Sequence, residues 1–422
     1  MNPDPVVMFG ELAASYPRMF WLDGGGSREW SGRRSILGHL RDEDVSLTFD
    51  AGAHEVRRHR HGREDVVGTD IFEVLADHLA ADDGDSRVHW VGYFGYACRT
   101  DLPARTGHGA PDAVWMRVEE PLFVTHHPTV DPSPSARHTV QTPKLVTGER
   151  EGYDEAFAQV QQELRKGNSY EVNLTYREQL TSAVDPVSAY LRLRTANPAP
   201  YAGYLQHHGT HLLSSSPERF ATLGADRRIE TKPIKGTTPR APDPAEDEAQ
   251  RVRLADDPKF RAENLMIVDL LRNDLSVVCE PGSVEVPSLM SVESYTSVHQ
   301  LVSTVRGRLR PGVGTVEALR TLFPAGSMTG APKLRTMQII ERVEDSPRGV
   351  YAGAFGWIGA DGRADLGVVI RSLVAQATRD AQDGGWSYAL GTGGGITVRS
   401  DLDEEWAETR WKVERLRSVL DG

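Results

Sequence analysis

Residues 231–240 read TKPIKGTTPR, a stretch that places one lysine in a loop whose own chemistry holds it still. Pro233 fixes its φ and biases Lys232 towards extended geometry, while Gly236 permits a tight turn directly after Lys235. Lys235 is thereby presented at a defined point. An amine is nucleophilic only when neutral, which burial or a cationic neighbour favours; Lys232 and Arg240 could supply the second. Taken alone, the segment would equally suit a solvated lysine in a Pro/Gly turn.

Outward from this stretch the chain carries further candidate groups. Residues 211–215 read as a strand ending in SSSPERF, where Pro217 breaks the pattern and presents Glu218. Residues 238–258 are charged and proline-rich, which predicts a mobile loop after Lys235. Residues 259–275, KFRAENLMIVDLLRNDL, predict a helix apolar around most of its circumference. Glu263 falls in register with Ile267, Leu270 and Leu271, and a carboxylate on that face needs a cation, a metal or a proton. Upstream, residues 153–166 have helical spacing with Gly167 as the stop. Residues 169–177, SYEVNLTYR, then predict a strand with Tyr170, Val172, Leu174 and Tyr176 on one face and Glu171, Asn173 and Thr175 on the other.

The last helix is expected to be capped by Ser400, with Asp403 in the capping-box position and Trp406, Val413, Leu416 and Leu420 as its buried stripe. Glu405, Glu408 and Lys412 fall along one edge of that stripe. With Glu263 from another helix, the two glutamates would make an oxygen site suited to Mg²⁺; a solvated flank is the alternative. In residues 323–333, FPAGSMTGAPK, a glycine loop runs into a helix with Pro332 at its first turn, an expected cradle for an anion. In residues 390–396, LGTGGGI, successive glycines allow close approach to a ligand. Neither stretch has Walker or Rossmann spacing, which disfavours nucleotide binding. Between them, residues 351–358 and 366–373 predict strands, the second carrying Arg371 among apolar neighbours, where its fork geometry suits a carboxylate.

The whole composition narrows the class. The chain has 422 residues, enough for a large core, and a formal charge of -12 that argues against a nucleic-acid surface. Its two cysteines, Cys98 and Cys279, lie far apart and suggest neither a disulfide framework nor a zinc site, so a cytoplasmic setting is expected. No apolar run approaches membrane-spanning length, and the first residues lack the pattern of a secretory leader. The first third reads as mixed strand and turn, with a helix at 71–79 and a buried strand at 88–96, VHWVGYFGY. Residues 126–148 are polar and proline-rich, as a linker would be, which predicts a boundary between an N-terminal region, 1–148, and a catalytic domain, 149–422.

Read together and in order, SYEVNLTYR, SPERF, PIKGTTPR, ENLMIVDLLRNDL, FPAGSMTGAPK, YAGAFGWIG and GTGGGITVRSDLDEEWAETRWK resemble the chorismate-binding enzymes from about Tyr153 to the C-terminus. VGYFGY is a weaker echo in the N-terminal part, where the tryptophan site of relatives is not carried over. The resemblance implies an α+β fold like that of anthranilate synthase component I, with two large antiparallel sheets packed around a central site and helices outside. It also implies chorismate as substrate and a Mg²⁺ ion. Within the family, anthranilate synthase large subunits carry alanine where Lys235 stands. The lysine implies the component that adds it to C2 of chorismate, lets ammonia replace the C4 hydroxyl and releases 4-amino-4-deoxychorismate, the precursor of 4-aminobenzoate. Matching motifs imply Glu218 as acid/base and Glu263, Glu405 and Glu408 as holders of the metal. They further imply Arg371, Lys412, Tyr351, Thr329, His299 and the amides around Gly393 and Gly394 as substrate contacts. Position 171 is glutamate where many relatives of this subtype have glutamine and water-adding relatives have lysine. Ammonia is expected from a separate glutamine amidotransferase subunit. An anthranilate synthase large subunit and a non-catalytic chorismate-binding subunit are the competing expectations.

Overall fold

The computed structural model describes residues 4–24, 34–107, 109–126, 147–295, 298–378 and 385–421. Two antiparallel sheets carry an α+β architecture, with nine strands in one and twelve in the other among the described residues. They pack face to face through large apolar side chains. Phe20, Leu22 and Ile36 of the first sheet meet Val91, Tyr93, Val114, Met116 and Phe355 of the second in one buried cluster. Each such side chain removed from water contributes about 1.5–3 kcal/mol before conformational entropy is subtracted.

Both sheets take strands from either side of residue 148. Arg18–Asp23 pairs with Tyr201–His207 in the nine-stranded sheet, and Val88–Phe94 pairs with Ala354–Gly359 in the twelve-stranded one. The change of composition near residue 148 is thus a feature of the chain, while the sheets run across it. Most of the expected linker, residues 127–146, lies outside the described residues.

Helices cover the outside, and their ends follow local rules. Asp70 caps Ile71–Ala81 by accepting from the amides of Phe72 and Glu73. Thr147–Arg165 stops just before Gly167, whose φ of 75° no β-carbon opposes. Pro258–Val278 buries Glu263 on one face together with Ile267, Val268 and Leu271, while Leu265 and Val277 are exposed, so the helix is amphipathic and not buried around most of its circumference. The final helix, Leu402–Ser418, is capped by Asp401 rather than Ser400, whose hydroxyl donates instead to Glu405 Oε1 at 2.8 Å.

Two local expectations are corrected around Lys235. It lies on a strand, Ile234–Pro239, paired with Val298–Arg308, and not in a loop. The pairing slips between Ile234 and Thr237, where Gly236 has φ 87°, so the glycine serves a bulge that turns Lys235 inward. The charged stretch that follows is also ordered, as helix Pro244–Asp256. Asp243 caps it, Pro244 fits its first turn, and Asp247 is tied back to Arg240 and to the amide of Ala241. Charge and proline content there marked a helix start. Farther on, strand Ala364–Val368 breaks before Ser372–Ala377, and Arg371 sits in the break at φ 49°.

Backbone crowding in the twelve-stranded sheet explains two glycines of the VGYFGY and AFGWIG segments. Gly92 stands opposite Gly356, and a β-carbon on Gly92 would lie 1.9 Å from the carbonyl oxygen of Val114. The substitution Gly92→Ala is therefore expected to destabilise the chain by about 1–3 kcal/mol, read as a thermal midpoint a few degrees lower. An unchanged melting curve would show that the sheet shifts freely to admit a methyl group.

Candidate active site

A cavity of about 200 Å³ opens where the two sheets end against each other. Strand Trp386–Ile396 and the start of Glu171–Ser182 form one wall, and the Lys235 strand with Gln300 forms another. Helices Pro258–Val278 and Leu402–Ser418 contribute Glu263, Glu408 and Lys412. Lys235, Glu218, Tyr351, Arg371, Gly393 and Gly394 complete the expected residues that line it. Groups from ten separate stretches of sequence thus meet in one small space.

Not every expected residue reaches the cavity wall. His299 is buried in the strand next to Gln300, but its ring lies 2.8 Å from Ser294 Oγ and 3.1 Å from Asp247 Oδ1, tying helix Pro244–Asp256 to the sheet. Thr329 is fully buried in the glycine loop, its hydroxyl donating to the Gly326 carbonyl and its own carbonyl accepting from the Asn173 amide. The amides of Met328 and Thr329 are spent inside that turn, so the loop acts as a wall and not as the expected anion cradle. Arg348, a residue the sequence reading passed over, holds the turn by donating to the carbonyls of Met328 at 2.6 Å and Asn173 at 2.8 Å.

Lys235 Nζ donates to Glu171 Oε1, and this buried pair fills the space beside Gly395. Burial alone would lower the lysine's pKa, but Glu171, Glu263 and Glu218 together hold it above its ordinary value. The resting amine is an ammonium. Glu218, also buried, accepts from Ser327 Oγ at 2.6 Å, yet burial pushes its carboxyl up to about 7. It therefore keeps a proton near neutrality. Ser327 was not singled out in the sequence; its place between two glycines of a wall loop was the only signal.

Acidic groups also gather on two helices, and Glu263 among them acts on Lys235. Burial pushes Glu263 up to about 7, with Lys235 opposing the rise and Glu171 and Glu405 adding to it, and its Oε1 is buried without a hydrogen-bond partner. Glu405 is held by Lys259 Nζ at 2.8 Å, and Glu408 by Lys412 at 2.7 Å. Lys412 holds the Glu408 carboxyl below its ordinary value. Among the described residues no three acidic, histidine or cysteine side chains form a ready ligand cage. The chemistry still fits a hard cation: Glu263 has an oxygen in want of one, and a side chain at Gly394 would crowd Glu405, its β-carbon standing 3.1 Å from Glu405 Oε2.

Positive and donor groups line the rest. The Arg371 guanidinium lies over the Trp411 ring at 5.7 Å and, among the described residues, has no carboxylate within ion-pair distance. Burial lowers its pKa to about 10, so it stays charged. Lys412 Nζ donates to the Gly393 carbonyl at 2.8 Å, and Tyr351 packs where Gly391 has no side chain. Such a wall suits a small ligand with carboxylate groups.

A family model described as chorismate binding enzyme matches residues 20–418. The chain belongs to this family. Among relatives, an aminodeoxychorismate synthase of Streptomyces pristinaespiralis is 39% identical over 99% of the chain and 64% of its own length. One of Streptomyces griseus is 36% identical over 99% of the chain and 63% of its own. The chain thus spans just under two thirds of these relatives. The aminodeoxychorismate synthase component 1 of Escherichia coli is 43% identical over 64% of the chain and 58% of its length. Anthranilate synthase component I from Streptococcus pneumoniae shares the fold, with a TM-score of 0.73 at 24% identity over 91% of this chain and 92% of that one. The α+β fold of two large antiparallel sheets with helices outside is therefore the one this chorismate-binding family shares with anthranilate synthase component I.

Glu218 makes a stability prediction with a definite sign. Its carboxyl holds a proton up to about 7 in the folded chain, against an ordinary value of 4.5. Between those values the folded state binds the extra proton, so this group costs stability as pH rises through the window. Glu218→Gln removes that cost. The variant is expected to gain on the order of 1–3 kcal/mol over the parent at about pH 8 relative to about pH 4.5, read by urea unfolding at both. A difference independent of pH would mean that Glu218 ionises normally.

Proposed function

We propose that this chain is an aminodeoxychorismate synthase component I, which replaces the C4 hydroxyl of chorismate with an amino group. The observation that carries the reading is Lys235: a buried amine in the same cavity as Glu218, a carboxyl that keeps its proton near neutrality. The Streptomyces and Escherichia relatives named for this activity support it. An archaeal relative from Haloarcula marismortui named anthranilate synthase component 1 is 44% identical over 64% of the chain, and Lys235 opposes that reading.

In the proposed cycle, Arg371, with Tyr351, Lys412 and the backbone at Gly393 and Gly394, binds the two substrate carboxylates. The Lys235 amine, once neutral, forms a bond to C2 while the ring double bonds shift and the C4–O bond breaks. Glu218 gives its proton to the departing hydroxyl, which leaves as water. Ammonia then bonds to C4, the C2–N bond breaks, and Lys235 returns as a free amine. Glu263, Glu405 and Glu408 would hold Mg²⁺ directly or through water, with Lys259 and Lys412 giving way. Bound there, the ion would offset charge on the ring carboxylate. Thr329 and His299 serve this site from behind its wall, by shaping the glycine loop and by anchoring the helix after Lys235.

Ammonia comes, in this reading, from a glutamine amidotransferase subunit, consistent with relatives named as component 1. No helix among the described residues is long and apolar enough to cross a membrane, and the proposed setting is the cytoplasm.

The test is to incubate the purified chain with chorismate, Mg²⁺ and ammonium and identify the products by mass spectrometry. The parent is expected to form aminodeoxychorismate, Lys235→Ala to form none, and Glu218→Ala to run about 10²–10⁴-fold slower. Anthranilate from the parent would make the chain an anthranilate synthase component. Unchanged chorismate under all conditions would leave a binding subunit.

A further inference from the structure

We propose that Glu171 and Gly395 form a resting clamp for Lys235, which holds the amine in place as an ammonium and must open before the lysine can attack. The inference rests on the reading of Lys235 as a nucleophile and adds to it the residues that keep the nucleophile silent.

The clamp is built from three features. Glu171 is fully buried, its Oε1 accepts from Lys235 Nζ, and its Oε2 is enclosed without a hydrogen-bond partner. Its backbone is pinned: Glu171 pairs with Ala331 across the sheet, and its carbonyl accepts from Ser169 Oγ at 2.8 Å. Gly395 supplies the room. A β-carbon there would stand 2.2 Å from Glu171 Oε1 and 2.8 Å from Lys235 Nζ. Any other residue at 395 would occupy the volume of the pair.

The surroundings leave the amine no reason to be neutral at rest. Glu218 after the strand Thr210–Ser216, Glu263 on helix Pro258–Val278 and Glu408 on the last helix also act on Lys235. Two other cations of the site, Lys259 and Lys412, are themselves committed to Glu405 and Glu408. An ammonium has no lone pair to give to carbon, so the charge pairing with Glu171 must end, by loss of the lysine's proton, before Lys235 can attack. Glu171 is thus a positioning residue, acting on substrate only through the lysine.

Charge, and not shape, is what the clamp depends on, and Glu171→Gln separates the two: the amide keeps the size and can still accept from the lysine. The whole chain and the variant would be reductively methylated with formaldehyde and cyanoborohydride across a pH series, with labelling of Lys235 read by peptide mass spectrometry. Lys166, exposed on the surface, is the internal control. In the parent, Lys235 should label only at strongly alkaline pH. In Glu171→Gln the profile should move down by at least one pH unit, about tenfold faster labelling at a fixed pH below the inflection. Gly395→Ala, which forces a methyl group into the pair, should move it the same way and serves if the first variant does not fold. Identical profiles in parent and variants would overturn the clamp. So would failure to label Lys235 in all three while Lys166 labels fully, because the lysine would then be held by something else. Labelling needs no turnover, so its outcome is separate from the product assay that decides the amination reading.

Discussion

The pairing of Trp386–Ile396 with Glu171–Ser182 is the constraint on which the site depends. Its register runs unbroken from Trp386 opposite Ser182 to Ile396 opposite Val172, which lays Gly393, Gly394 and Gly395 across Thr175, Leu174 and Asn173. Side chains alternate along the strand, so Glu171 meets Lys235, Asn173 the glycine loop and Thr175 the buried Glu344, while Val172 and Leu174 enter the apolar cluster under the first helix after the linker. A slip of one residue would put Val172 and Leu174 against the lysine and bury three polar groups in the cluster. The apolar cluster thereby sets the geometry of the polar cavity.

Two kinds of buried carboxylate lie within this frame, and their partners tell them apart. Glu344 is enclosed by Arg348 and Arg177 and also accepts from Thr175; burial would raise its pKa, but the two guanidinium groups keep it below its ordinary value. Glu178 is likewise gripped by Arg410 and Arg417. These are struts, each with its charge answered by planar forks that do not leave. Among the described residues Glu218 and Glu263 have no such partner, and both are pushed up to about 7. A carboxyl left in that state costs stability, which a purely structural position has no reason to retain.

The candidate site was legible where the relevant signal is local. Glu263 on an apolar helix face, Pro217 presenting Glu218, the glycine run at 393–395 and the charged edge of the last helix each announce themselves within a few residues, and the structure sets them in or against one cavity. The cap at Asp401, the helix Pro244–Asp256 and the strand carrying Lys235 were misread because neighbouring residues offered two plausible local states. Ser400 and Asp401 can both cap a helix, and a stretch rich in Pro and Asp suits either a loop or a helix start. Packing decided between them.

By itself the sequence determined which chemical groups exist and the periodicity that buries or exposes them: one presented lysine, acids on apolar faces, and glycines where backbones must come close. Only the tertiary structure decided who meets whom. That Lys235 binds Glu171, sixty-four positions away, in a space vacated by Gly395, that Arg371 lies over Trp411, and that His299 and Thr329 stand behind the wall all follow from strand register and sheet packing. These are set by the burial of distant apolar faces against one another, and local sequence carries no record of which distant face that will be.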